Sequence, residues 1–182
     1  MRWERLFADL SGQLAAAEAV DQSAEVRDRA RRELARIPLA ARLAAAVGSQ
    51  VEFGVTGAGQ LAGEVRRSGP DWVLLYVPPA REVLIPLAAI GWLRALPVAA
   101  RTETSPVDAR WTLAYVLREI ARDRAGLAIR LRDGDGRTGT IDRVGADHID
   151  LAEHPADVAR RPTQVRSVAT IPFAALATVS RD

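Results

Sequence analysis

Apolar side chains recur at alternating spacings of four and three residues near the start of the chain. This first stripe consists of Trp3, Phe7, Leu10 and Leu14. The spacing places them on one face of an α-helix, so the pattern predicts an amphipathic helix. We expect that helix either to form a coiled coil with a second copy or to pack on its own chain.

Two more helical segments follow in the N-terminal region. A second stripe at helical spacing consists of Val26, Ala30, Leu34 and Ile37. Pro38 is expected to end or kink this helix, because proline lacks the N–H that a helix interior needs. A short helix is predicted over residues 39–47, ending at Gly48, since glycine readily adopts the left-handed conformation common just past a helix end. Residues 1–47 are therefore assigned to a helical region.

The rest of the chain contains one β-unit twice, in residues 49–96 and 126–180. Four residue pairs are identical at a constant offset: Gly63 and Gly139, Arg67 and Arg143, Gly69 and Gly145, and Asp71 and Asp147. Near the end of each copy, Ile85-Pro86 returns as Ile171-Pro172 after an insertion in the second copy. Internal repetition of this kind indicates one structural unit used twice.

Within each copy, alternating apolar residues predict short strands joined by turns. The clearest strand is marked by Leu127, Ile129 and Leu131. The segment 133–136 (Asp-Gly-Asp-Gly) predicts a tight turn after it. Gly63 and Gly139 lie inside predicted strands, where glycine indicates a bend or a close backbone approach. Strongly bent strands are typical of small closed barrels.

A second helix separates the two β-units. Residues 97–106 are polar and bounded by prolines, which predicts a linker. The segment 107–124 then predicts a helix with apolar positions at Trp111, Tyr115, Leu117 and Ile120. The expected fold class is α+β: two tandem small SH3-like or Sm-like β-barrels, each preceded by a helix. The first barrel is assigned to residues 48–96, and the helix with the second barrel to residues 107–182.

This arrangement resembles the Sm-like and SH3-like families of small β-barrels. The second copy carries the closer resemblance: the strand from Leu127, the Asp133-Gly134 turn and the Gly139-x-Ile141 strand look like the first two strands of an Sm motif. Ile149-x-Leu151 looks like the third strand. The resemblance implies small barrels with a leading helix, and it implies RNA binding as a candidate function.

Composition narrows the classes of function. All 25 basic residues are arginine, the acidic residues number 23, and the formal net charge is +2. Positive and negative charges are spread evenly along the chain, so no segment is typical of a nucleic-acid-binding tail. The chain has no cysteine, which excludes disulfides and thiol chemistry. No apolar run reaches the ~18 residues of a membrane span, so we expect a cytoplasmic protein without a membrane partner.

Candidate catalytic chemistry is absent from the sequence. No glycine-rich phosphate loop, nucleophile elbow or zinc-protease motif occurs, so no catalytic residue is assigned and an enzyme is not expected. No cofactor is expected either. His148, Asp150 and His154 would share one face of a strand, but the two histidines would lie ~20 Å apart, too far to bind one ion. No metal site is predicted.

One strand is apolar on both faces. Trp72, Leu74 and Tyr76 form one face, and Val73, Leu75 and Val77 form the other. Because both faces of this strand must be covered, either a helix of the same chain or a protein partner is expected to pack on Trp72.

The primary functional hypothesis is a non-enzymatic binding or scaffolding protein that acts through contacts with a protein partner or through self-association. Its predicted interface residues are Trp72, Leu74, Tyr76, Trp3, Phe7, Leu10 and Leu14. The alternative is Sm-like binding of RNA by arginines on the barrel loops, because guanidinium groups suit phosphate. Those candidates are Arg66, Arg67, Arg143, Arg160, Arg161 and Arg166.

Overall fold

The computed structural model describes residues 31, 32, 34–101, 110–155 and 165–181. The chain divides into two compact units, Met1–Ile37 and Pro38–Asp182. In the first unit the described residues include a helical hydrogen bond, in which the backbone N–H of Ala35 donates to Arg31 O at 3.0 Å. The predicted stripe between Trp3 and Leu14 lies outside the described residues.

The second unit begins with a short helix, as the sequence predicts. Helix α1 (Leu39–Ala45) follows Pro38, and the chain reverses at Gly48, whose φ is +85°. Helix α1 ends at Ala45, so it is shorter than the predicted helix over residues 39–47, and Gly48 lies in the turn that follows it. The φ of Gly48 lies in the left-handed region, which glycine readily adopts. Leu43 and Ala46 are buried and attach the α1 segment to the sheet.

Ten strands and one further helix make up the rest of the described chain. The strands are β1 (Gln50–Val55), β2 (Gly59–Ser68), β3 (Trp72–Val77), β4 (Arg81–Pro86), β5 (Ile90–Arg94), β6 (Leu127–Leu131), β7 (Gly136–Val144), β8 (His148–Glu153), β9 (Ser167–Pro172) and β10 (Leu176–Ser180). Helix α2 (Leu113–Arg122) precedes β6, and its first turn is capped because the Thr112 hydroxyl accepts the N–H of Tyr115.

All ten strands belong to one antiparallel sheet with the order β5-β1-β2-β3-β4-β10-β6-β7-β8-β9. The two copies have the same internal order, because β10, β6, β7, β8 and β9 repeat β5, β1, β2, β3 and β4. A single 3-10 turn connects the fourth strand to the fifth in each copy. The sequence repeat is therefore also a repeat of topology.

Equivalent backbone hydrogen bonds recur in the two copies. Gly69 N–H donates to Trp72 O at 2.9 Å, and Gly145 N–H donates to His148 O at 2.8 Å. The second and third strands also share an irregularity. A register shift lies between Val65 and Arg67 in the first copy, and the same shift lies between Ile141 and Arg143 in the second. Such bulges increase the local twist of a strand pair, so both copies bend at the same place.

The prediction of two closed barrels in an α+β fold is wrong. The described chain is mostly β, with two helices beside one open ten-stranded sheet. A closed barrel needs a strand to close it within its own copy. Here β4 pairs with β10 of the other copy instead. The physical reason is that the free edge of β4 is taken by a strand from the second copy, which fuses the two units.

Two hydrophobic cores lie within this unit, and they meet at the sheet. The larger side chains of the first core include Phe53, Leu43, Leu75 and Ile85. The second core includes Leu117, Ile129, Ile149 and Leu151. Strand β10 contributes to both, since Ala177 belongs to the first core and Leu176 and Val179 belong to the second. The two repeats are therefore joined by packing as well as by hydrogen bonds.

Gly63 and Gly139 mark close backbone approaches, as predicted. A Cβ on Gly63 would collide with the carbonyl oxygen of Tyr76, and one on Gly139 would collide with that of Ala152. Because the obstructing atoms are backbone, they cannot move aside as a flexible side chain would. Glycine is therefore required at the same point of both copies.

We expect Gly139→Ala to lower the free energy of unfolding by about 1–3 kcal/mol, the usual cost of forcing extra volume into a packed site. Denaturant unfolding followed by tryptophan fluorescence measures this. Gly91→Ala is the matched control, because a Cβ there would have its nearest neighbour at an ordinary 3.5 Å. Equal stability of the two variants would contradict the close-approach explanation.

Candidate interaction surfaces

The junction between the two repeats is a short antiparallel ladder. Val179 of β10 lies opposite Leu84 of β4, and Ser180 lies opposite Val83. All four side chains are buried. Leu84 and Val179 belong to the second core, so the outer side of β4 is covered by the second repeat. The structure thus contains one complete example of how the fourth strand of one repeat pairs with the fifth strand of another.

The outer edges of β5 and β9 have no partner strand within the described part of the chain. By the repeat alignment, β9 corresponds to β4 and β5 corresponds to β10. The two strand types that pair at the internal junction are thus also the two that end the sheet. Each edge presents backbone N–H and C=O groups that a further strand can bind.

The residues of β9 themselves lack most of the usual protection against pairing. Its sequence, Ser-Val-Ala-Thr-Ile-Pro over residues 167–172, contains no charged residue. Val168 is 59% exposed. Natural edge strands commonly carry lysine, other charges or a bulge that discourages association. Among the residues of β9, only Pro172 at its end is a residue that discourages pairing with a further strand.

The edge at β5 carries an exposed aromatic side chain. Trp92 is exposed and packs on Gly54 of the neighbouring strand, where a side chain would collide with its ring. The guanidinium of Arg94 lies 4.8 Å from the centre of the Trp92 ring and pairs with Glu52 at 3.8 Å. One positive charge thus stands at the end of β5, and β9 carries no positive charge that would repel it.

Glu153 holds β9 in place at the other end of the sheet. Its carboxylate accepts a hydrogen bond from Ser167 of β9 and forms an ion pair with Arg137 of β7 at 3.2 Å. The Ser167 hydroxyl and then the Arg137 guanidinium lower the pKa of Glu153, and partial burial opposes them. Glu153 therefore connects three neighbouring strands and fixes the start of the edge strand.

Trp72 is buried inside the chain, at 2% exposure, and belongs to the second core. Its indole N–H donates to the carbonyl of Trp111, just before α2. The strand is therefore covered on both faces, as predicted. The cover over Trp72 comes from its own chain, so this residue is no exposed anchor. Leu74 and Tyr76 are half-buried, and the Tyr76 hydroxyl donates to Pro79 O at 2.7 Å.

The six arginines proposed for RNA binding are not brought together by the described part of the chain. Arg66 and Arg67 lie together at the end of β2. Arg143 stands opposite Asp150, while Arg166 N–H donates to Glu153 O near the other end of β8. Arg143 and Arg166 are therefore roughly 14 Å apart, because they are offset by three residues along the strands and by two strand spacings across the sheet. Arg160 and Arg161 lie outside the described residues.

The two histidines have separate environments. His154 is buried and its two ring nitrogens contact the Thr140 hydroxyl and Pro155 O, both at 2.8 Å. His148 contacts Asp147, which lowers the pKa of that carboxyl, mainly through the hydrogen bond. Within the described ranges, no three His, Cys, Asp or Glu residues are grouped so that they could bind a metal ion.

Sequence reasoning missed the two edge strands as functional candidates. A signal was present in the repeat alignment, where Glu82 of β4 corresponds to Val168 of β9 and Thr178 of β10 corresponds to Trp92 of β5. The strands at the sheet ends are thus more apolar at these positions than those at the internal junction. Without the strand order, these differences cannot be assigned to edges.

Comparison of the chain with protein-family models, with curated proteins and with solved structures finds no match. None of the helices in the described ranges has the length and apolar character required to cross a membrane.

We expect Glu153→Gln to reduce stability at neutral pH and to weaken the loss of stability in acid. The folded-state pKa of Glu153 lies below its ordinary value of 4.5, so its contribution is present above that value and disappears as pH falls through the lowered pKa. Urea unfolding across this acidic range measures the effect. Asp150→Asn is the control, since the side chain of Asp150 accepts a hydrogen bond from Thr170 at the surface and forms no ion pair with a described residue. If wild type and Glu153→Gln lost the same amount of unfolding free energy as the pH falls, the role of Glu153 in stability would be contradicted.

Proposed function

We propose that this protein is a non-enzymatic scaffold that self-associates, with β9 of one chain pairing with β5 of the next. The observation that supports the proposal is the internal β4·β10 junction. It joins a fourth strand of one repeat to a fifth strand of the other. At each end of the described sheet there is then one strand of these two types without a partner strand among the described residues.

The internal junction also supplies a register for the proposed contact. At the internal junction Val179 lies opposite Leu84. In the repeat alignment Val179 corresponds to Leu93 and Leu84 corresponds to Thr170. We therefore expect Leu93 of one chain to lie opposite Thr170 of the next. By the same correspondence, the pair of Ser180 and Val83 predicts that Arg94 of one chain lies opposite Ala169 of the next. In an antiparallel pair, directly opposed side chains point to the same face of the sheet, so this register also determines which residues meet.

The side chains at the two edges are compatible with this pairing. Thr170 and Arg94 are exposed, and Leu93 and Ala169 are half-buried. No like charges are opposed, because β9 is uncharged and Arg94 is the only ionisable residue of β5. The backbone groups of both edges gain partners, and the exposed side chain of Val168 lies on a strand that becomes internal.

Such a contact is head-to-tail, because one chain contributes β9 and the other contributes β5. Heterologous contacts produce a ring when the rotation between neighbours closes, and a filament when it does not. Either assembly repeats the same surfaces at regular intervals, which is how a scaffold acts. The cytoplasmic location predicted from the sequence belongs to this proposal, and a chain without cysteine is suited to a reducing compartment.

The mass of the protein in solution tests self-association. We expect wild type to form assemblies larger than one chain whose mass rises with concentration, measured by light scattering after size-exclusion chromatography. Val168→Lys with Thr170→Lys should shift the mass to a single chain, since edge lysines oppose strand addition. Gln60→Lys with Ala62→Lys places the same two charges on exposed sites of the internal strand β2 and should leave the mass unchanged. A wild-type protein that stays a single chain at all concentrations would disprove the proposal.

Engineered cysteines test the register. The chain has no cysteine, so Arg94→Cys with Ala169→Cys supplies the only two thiols. Oxidation should give a ladder of linked chains on a non-reducing gel. Arg94→Cys with Thr170→Cys is the control, because neighbouring residues of a strand point to opposite faces. Equal ladders from the two variants, or products of single-chain size only, would contradict the register.

A further inference from the structure

A second surface, whose described lining includes no residue of β5 or β9, has the character of a binding site. It is a groove of about 610 Å3 between helix α1 and the turn from β2 to β3. Its aliphatic floor comes from α1 and its flanks: Pro38, Ala40, Ala41, Ala44 and Val47. Arg66, Arg67 and Arg101 stand along its sides, with Trp111 beside them. We call this surface the arginine groove.

The charge of the arginine groove is one-sided. Among the residues of the described ranges that line it, none is acidic. Arg66 is neutralised by Glu64, 2.9 Å away. Arg67 and Arg101 form no ion pair within the described part of the chain, and both are exposed. Two uncompensated guanidinium groups therefore border an aliphatic surface, which favours an occupant with negative charges next to apolar side chains.

Both uncompensated arginines are anchored, Arg101 through its backbone and Arg67 through its side chain. The backbone N–H of Arg101 donates to Ala41 O at 2.9 Å, which ties this residue to helix α1. The segment before it is held by Arg42, whose guanidinium donates to Pro97 O at 3.0 Å. Arg67 lies 5.4 Å from the centre of the Trp111 ring. Pre-positioned donors lose less conformational entropy on binding, which makes them better ligand contacts.

The aromatic rings of the arginine groove argue against a nucleic acid as its occupant. Single-stranded nucleic acids bind where bases can stack on free aromatic faces. Trp111 contacts the Arg67 guanidinium and stacks with Tyr115 at 6.3 Å between ring centres. Trp72 is buried. The floor of the groove is instead aliphatic, which suits leucine-like side chains better than bases.

We propose that the arginine groove binds an acidic peptide segment. Apolar side chains of the peptide lie on the floor formed by Ala40, Ala41 and Ala44, and its carboxylates accept hydrogen bonds from Arg67 and Arg101. Planar guanidinium groups can hold carboxylates through two parallel hydrogen bonds, which gives direction as well as attraction. The alanines leave room for the partner because their side chains are small. This site is independent of the proposed strand pairing.

Fluorescence anisotropy with a short labelled peptide in which glutamates alternate with leucines tests the proposal on the full chain. We expect saturable binding that weakens with added salt. Replacing the glutamates by glutamine, or the leucines by serine, should each abolish most of the binding. Equal binding of the glutamine peptide would disprove recognition of charge. A complete lack of binding by the glutamate–leucine peptide would also disprove the proposal.

Variants of the protein locate the site. Arg101→Gln should lower the affinity for the glutamate–leucine peptide about tenfold, which is the effect of losing roughly one charge-assisted hydrogen bond. Ala44→Glu should lower this affinity further, because it adds a carboxylate to the floor of the groove that repels the acidic peptide. Arg130→Gln is the matched control, because Arg130 is an exposed arginine of β6 that does not line the groove. Unchanged binding in both groove variants would place the peptide elsewhere and overturn the assignment.

A labelled oligouridylate is the competing probe. If it binds more tightly than the peptide and loses affinity in Arg101→Gln, the groove is a nucleic-acid site and the acidic-peptide proposal is wrong. Circular dichroism and thermal unfolding of each variant separate a lost contact from a lost fold. The edge variant Val168→Lys with Thr170→Lys should bind the peptide as wild type does, so failure of strand pairing and failure of peptide binding are distinguishable.

Discussion

The pairing of β4 with β10 is the contact on which the rest of this structure depends. It satisfies the edge of the first repeat with a strand of the second, and it places β10 where it packs into both hydrophobic cores. If β10 were absent, β4 and β6 would both become edge strands, and both cores would lose buried side chains. The ten-stranded sheet therefore exists because of five residues, all of them buried.

Much of the local structure is predictable from sequence, because it depends on neighbouring residues. Gly48 lies in the turn after a helix, Gly63 and Gly139 allow close backbone approach, and the alternating apolar residues locate strands. The expected barrels are wrong for a different reason. A sequence pattern shows which face of a strand is buried, but the edge partner of β4 is decided by competition between strands far apart in the chain.

The candidate surfaces show the same division between local and long-range information. Two apolar faces around Trp72 predict that something covers this strand, yet whether the cover is α2 or a partner depends on tertiary packing. Arg66 and Arg67 are adjacent in sequence and remain together. Arg101 joins them only because hydrogen bonds from Arg42 and to Ala41 hold its segment against α1. No spacing rule relates these positions.

The central place of β10 has a consequence for how the chain folds. β10 is the last strand in sequence order, yet it lies in the middle of the sheet. On a ribosome the first repeat emerges complete long before the strand that covers its edge. During that interval the outer edge of β4 is unpaired and Leu84 lacks its cover, so the nascent first repeat is a site for chaperone binding or for mispairing with a neighbouring chain. The edge of the first repeat can therefore be completed only after the last strand of the second repeat has been synthesised.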